Sequence, residues 1–77
     1  MLPESVYDRL ESAIAMLAYN WRGADKNSEK RDELESAYKE LLLFLINHKW
    51  TGYLDPDSQL PSDKMPKEFF EHEDKYG

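Results

Sequence analysis

Residues 41–46 read LLLFLI, and a helix that is apolar on nearly every side must be covered on nearly every side. The run lies in a segment whose other apolar residues keep a helical period, with Leu34, Ala37, Tyr38, Leu41, Leu45 and His48 on one face. Leu42, Leu43, Phe44 and Ile46 fall outside that face. One partner helix leaves them wet, and contiguous apolar patches are rare on soluble monomers. The run therefore requires a second covering, from another segment of the chain or from another subunit.

The first covering is a helix that precedes it. Pro3 suits a helix start, where a missing N–H costs nothing, and Val6, Leu10, Ala13, Ile14, Leu17 and Trp21 recur at three-four spacing. The spacing predicts a helix over about 3–22, ended by Gly23 as a left-handed residue. Asn27 or Ser28 then caps a second helix over about 28–50, with Glu29, Asp32 and Glu33 near its positive end, His48 and Lys49 near its negative end, and Gly52 as the stop. A short loop between two such helices implies an antiparallel hairpin.

After Gly52 the helical period is lost, and Pro56, Pro61 and Pro66 punctuate a polar stretch that also holds Tyr53, Leu54, Leu60 and Met65. These residues predict a strap over 52–65 laid on the second helix, followed by a short helix over 66–76 that contains Phe69, Phe70 and Tyr76. The fold class is all-α, one domain over 1–77. A chain of 77 residues buries only a thin core, so the surplus apolar face of LLLFLI predicts a homo-oligomer, a dimer or tetramer. The absence of cysteine removes disulfides and thiolate chemistry and fits a reducing, cytoplasmic setting. No apolar run approaches the roughly 20 residues that span a bilayer, and no signal-like leader is apparent.

Catalytic chemistry finds little to work with. His48 and His72 are the only histidines, and no phosphate-binding loop, nucleophile elbow or paired-histidine metal motif is present, so neither an enzyme nor a cofactor is expected. The run EHED at 71–74 reads as a solvated face, and His48 as a helix-terminal cation or a packed ring. The formal charge of −6 opposes attraction to DNA, RNA or anionic membranes.

One stretch runs against that charge. Residues 19–31, YNWRGADKNSEKR, hold Arg22, Lys26, Lys30 and Arg31 against Asp25 and Glu29, beside Tyr19 and Trp21. A helix N-terminus with free N–H groups, two nearby cations and a glycine suits a phosphate, and the aromatic rings suit a base. The packing alternative makes Trp21 the end of the first helix's apolar stripe and the lysines a solvated loop. A second aromatic and basic cluster, HKWTGYLDP, supplies Lys49, Trp50 and Tyr53 at the opposite end of the hairpin, where the indole could equally anchor the strap. Subunits packed head to tail would bring it to the first cluster, giving a ligand site of Tyr19, Trp21, Arg22, Lys26, Lys49, Trp50 and Tyr53.

In overall plan the chain resembles the very small acidic proteins that bacteriophages make to disarm their hosts. In shortness, helical layout, lack of catalytic groups and aromatic-plus-basic clusters at helix ends, it is similar to oligomeric sponges that sequester cyclic dinucleotide immune signals. The resemblance implies a viral immune-evasion protein in the cytoplasm of an infected bacterium, a stoichiometric nucleotide binder that holds its ligand between subunits. The alternative is an acidic inhibitor or adaptor whose C-terminal third, with seven acids against three bases from Asp55 to Gly77 and with Phe69, Phe70 and Tyr76, docks on a basic host protein.

Overall fold

A computed structural model describes residues 1–77 and contains three α-helices with no strand: α1 over Glu4–Gly23, α2 over Glu29–Asn47 and α3 over Lys67–Tyr76. Short 3₁₀ turns at Pro56–Ser58 and Ser62–Lys64 lie between α2 and α3. α1 and α2 pack antiparallel. Tyr7 donates its hydroxyl to the carbonyl of His48 at one end, and the Arg31 guanidinium lies 3.7 Å from the Trp21 ring centroid at the other. All four prolines stand where a helical turn begins: Pro3, Pro61 and Pro66 just before α1, the second 3₁₀ turn and α3, and Pro56 as the first residue of the other turn. There the fixed φ is already helical and the absent donor is not missed.

Two helix ends differ from the expected ones. Gly23 is not left-handed; Asn27 takes that conformation in the loop, with φ of 62°. α2 stops at Asn47, not near residue 50, because Lys49 adopts φ of 62° and the Trp50 N–H reaches back to the Leu45 carbonyl at 3.2 Å. The left-handed Lys49 and the Trp50–Leu45 bond are the 6→1 half of a Schellman close, and its usual hydrophobic contact falls to Trp50 and Leu45, both buried. Gly52 serves close packing instead, since a Cβ there would lie 2.5 Å from both the Glu11 Oε2 and the Trp50 Nε1. Only a glycine fits against that indole–carboxylate pair.

The core joins α1 (Ile14, Ala18, Trp21), α2 (Tyr38, Leu42, Leu45), the strap (Trp50, Leu54, Leu60, Met65) and α3 (Phe69) in one cluster. The strap and α3 together are thus the second covering that LLLFLI requires, with the strap's first turn on α1 rather than on α2 as its sequence suggests. Leu42 and Leu45 are fully buried within a single chain, while Phe44 stays 41% exposed. Covering these residues does not need a subunit, because α3 packs on α2, the first 3₁₀ turn of the strap packs on α1, and Leu54, Leu60, Met65 and Phe69 join Leu42 and Leu45 in one core. Tyr53, read as a strap anchor, instead projects into solvent.

Tyr38 pins the strap. Its hydroxyl donates to the Ser58 carbonyl at 2.6 Å, and burial pushes its pKa up to about 12 against the smaller opposing influence of the Leu60 backbone and the Arg22 charge. A neutral phenol bonded to a carbonyl is the form this core accepts.

Candidate functional site

At the turn end, Ser28 caps α2 as the sequence suggests: its Oγ accepts from the Arg31 N–H at 3.1 Å and donates to the Asp25 carbonyl at 2.7 Å. With Glu29 and Asp32 also in the first turn, the helix terminus that could receive a phosphate carries its own cap and its own acids. Trp21 is 4% exposed. Its indole N–H donates to Glu35 Oε1 at 3.3 Å, and Arg31 lies over the ring while its Nη1 donates to the Ala24 carbonyl. Glu35 in turn meets Lys39 at 3.2 Å and Lys64 at 4.0 Å. Tyr19, Arg22 and Lys26 remain exposed at this end, Tyr19 by 71%.

At the other end, Trp50 is 2% exposed and donates its indole N–H to Glu11 Oε2 at 2.6 Å. The His72 ring stacks on it at 4.4 Å between centroids and 7° between planes, and His72 Nε2 donates to the Gly52 carbonyl at 2.8 Å. His72 is therefore turned inward and buried, although EHED reads as a solvated face; Glu71, Glu73 and Asp74 are exposed as that reading expects. The inward turn follows from α3 itself, where Phe69, His72 and Tyr76 share one side and the acids the other. Phe69 is likewise in the core, which leaves Phe70 and Tyr76 as the exposed aromatics of α3. His48 is the packed ring, stacked on Phe44 at 4.0 Å with Nδ1 donating to the Phe44 carbonyl in the last turn of α2.

The seven expected ligand residues thus divide into two groups a hairpin length apart, about 30 Å. Tyr19, Trp21, Arg22 and Lys26 stand at one end; Lys49, Trp50 and Tyr53 stand at the other. Within one chain both indoles are enclosed, each with its N–H bonded and one ring face covered, so neither offers a surface on which a base can stack. Tyr19 and Tyr53 keep free rings.

No family model, curated protein or solved structure matches this chain.

A concavity at the Trp50 end is lined by acids. A groove of about 320 Å³ runs between the N-terminal half of α1 and residues 49–52, with Glu4, Asp8 and Glu11 on one wall and Lys49 as the one basic side chain in it. It adjoins a second groove of about 310 Å³ lined by Asp8, Glu11, Tyr53 and Asp55, over which Tyr53 is 77% exposed. Only two ion pairs form in the whole chain and both involve Glu35, so Glu4, Asp8 and Asp55 carry unpaired charge. The spacing of Glu4, Asp8 and Glu11 at i, i+4 and i+7 is visible in the sequence as one helical face. What the sequence does not show is that Gly52 and the strap close over that face and add Asp55. No group of three or more His, Asp or Glu side chains is arranged to hold a metal ion, and no helix is long and apolar enough to cross a membrane.

Proposed function

We propose that this is a non-catalytic binding protein that docks its acidic groove on a basic segment of another protein, as an inhibitor or adaptor does. The observation that carries this reading is the pair of adjoining grooves lined by Glu4, Asp8, Glu11 and Asp55, none of which has a cationic partner. Four carboxylates spread over two adjoining grooves attract a lysine- or arginine-rich segment, and the free face of Tyr53 suits a cation at its rim. The nucleotide reading keeps one support, the exposed Tyr19, Arg22 and Lys26 at the turn. It loses the stacking faces of Trp21 and Trp50 and the uncapped helix terminus. The expectation of an assembly stays within this proposal on changed grounds, since Leu42 and Leu45 are already covered and a second copy must use other residues.

Fluorescence anisotropy with a labelled arginine- and lysine-rich peptide tests the groove. The expected result is binding that weakens about tenfold or more between about 50 mM and about 500 mM salt, as unpaired surface charges are screened. Combining Asp8→Asn with Asp55→Asn should weaken it about tenfold, and Tyr53→Ala a few-fold. Indifference to the peptide, together with a cyclic dinucleotide heat signal that vanishes in Arg22→Ala, would hand the function to the turn.

A further inference from the structure

The hairpin has two sides, and only one is covered. Strap and α3 occupy the side where Glu11 and Ala15 of α1 meet Leu54 and Ser58, and where Ile46 of α2 meets His72. On the opposite side, helical periodicity places Val6, Leu10, Ala13 and Leu17 of α1 beside Leu34, Ala37, Leu41 and Phe44 of α2. Seven of these eight are half-buried, with Leu10, Leu17, Leu34 and Leu41 packed against the edge of the core, and Phe44 is exposed.

We infer that this uncovered face of the α1–α2 hairpin is where a second copy of the chain packs, making a four-helix dimer. The proposal rests on the oligomeric part of the function proposed above and names the face that part lacked. Three observations carry it. The first is charge. A chain of net charge −6 repels its own copy, and all eight stripe residues are uncharged; acids gather in the groove and on the outer face of α3, and they reach this face only at its Ala37 edge, where Glu29, Asp32, Glu33 and Glu40 line a shared hollow.

The second is shape. Contacts between residues 7 and 48 at one end and 21 and 31 at the other set Leu10 beside Phe44, Ala13 beside Leu41 and Leu17 beside Ala37. Two of these three pairs set a leucine beside an alanine, and each alanine leaves a hollow that a leucine of a two-fold-related copy can enter. Setting α1 of one copy over α2 of the other also brings Arg9, on the rim of α1, to the same edge as Glu40, on the rim of α2.

The third is area. The chain exposes 5433 Å², against roughly 4,900 Å² for a monomeric protein of this mass by the usual scaling. A face about 30 Å long and two helices wide offers roughly 600 Å² per copy, which reaches the lower bound of stable interfaces when both copies are counted.

Sedimentation equilibrium of the full chain over a range from micromolar to several hundred micromolar tests the inference. The expected result is a species of twice 9.1 kDa at high concentration. Ala13→Glu places a carboxylate at the centre of the seam in each copy and should raise the dissociation constant at least about 100-fold with unchanged helicity. Phe44→Glu, at a more exposed position, should act in the same direction and keeps the test open should Ala13→Glu fail to fold. Phe70→Glu on α3 and Asp8→Asn in the groove should leave the dimer intact. A chain that sediments at 9.1 kDa throughout overturns the inference even if it binds the basic peptide, and so does a dimer indifferent to both seam variants. A dimer that persists without peptide binding leaves the seam standing and removes the groove.

Discussion

The two ends of the hairpin solve one problem with the same parts and reach different results. At each end a buried tryptophan gives its indole N–H to a glutamate on the other side of the fold and has one ring face covered by a nitrogen-bearing side chain. At the turn end those partners, Arg31 and Glu35, lie ten and fourteen residues from Trp21, inside the hairpin itself. At the open end Trp50 draws on Glu11, thirty-nine residues back, and on His72 from α3. Trp21 closes a local unit, whereas Trp50 ties α1, the strap and α3 together. Local contacts close at small entropic cost, while distant ones carry the loop entropy of everything between them.

Truncating the open-end anchor breaks the comparison most severely. Trp50→Ala is expected to cost about 3–5 kcal/mol, a large share of what a domain this small possesses, and to release α3 to proteases before α1 and α2 unfold. Trp21→Ala should cost a similar amount of stability yet leave α3 docked. Denaturant unfolding followed by limited proteolysis separates the two outcomes; α3 protected in Trp50→Ala would show that Trp50 is not its anchor.

Tyr38 lies between the two ends and provides a reference that belongs to neither. Its folded pKa of about 12 stands above the ordinary value of 10.0, so its contribution is fully present below pH 10 and is lost as pH rises toward 12. That loss amounts to about 2–3 kcal/mol. The wild type should therefore lose its advantage over Tyr38→Phe across this window, measured as the difference between their unfolding midpoints at each pH. A difference that stays constant through pH 12 contradicts the burial of the phenol.

The two glutamates give the smallest and sharpest contrast. Glu11→Gln replaces a 2.6 Å charge-assisted bond by a neutral one and should cost about 1 kcal/mol. Glu35→Gln changes the net charge equally but acts on a 3.3 Å bond and two lysine contacts at a half-exposed site, and should cost about 0.5 kcal/mol or less. Thermal melts of the two variants side by side cancel the shared change in net charge. Equal losses would remove the distinction between the ends.

Much of the fold is legible in the sequence alone. The periodic faces of Val6 to Trp21 and Leu34 to His48, the cap at Ser28 and the prolines at each turn are local signals, each confined to a few neighbouring residues, so they place α1, α2, the strap and α3 within a few positions. The misplaced stops have a local cause as well: Asn27 and Lys49 take the left-handed turns that the glycines at 23 and 52 suggest, because asparagine tolerates that conformation and the Schellman contact of Trp50 with Leu45 holds Lys49 in it.

The site is less legible, for a reason common to all its residues. An aromatic beside basic residues looks the same in the sequence whether its ring is free or enclosed, and only the arrival of Glu35 and Arg31, or of Glu11 and His72, decides which. The same long-range closure turns His72 inward and sets Asp55 in a groove with Asp8 and Glu11, next to the one that holds Glu4. By itself the sequence determined that LLLFLI needs covering on two sides, because helical periodicity and the aversion of apolar surface to water operate residue by residue. Which segment covers it, and which face is left open as a result, only the tertiary structure decided. That choice depends on the competing fits of Leu54, Leu60, Met65 and Phe69 against the α1–α2 hairpin, contacts between residues far apart in the chain that no local pattern encodes.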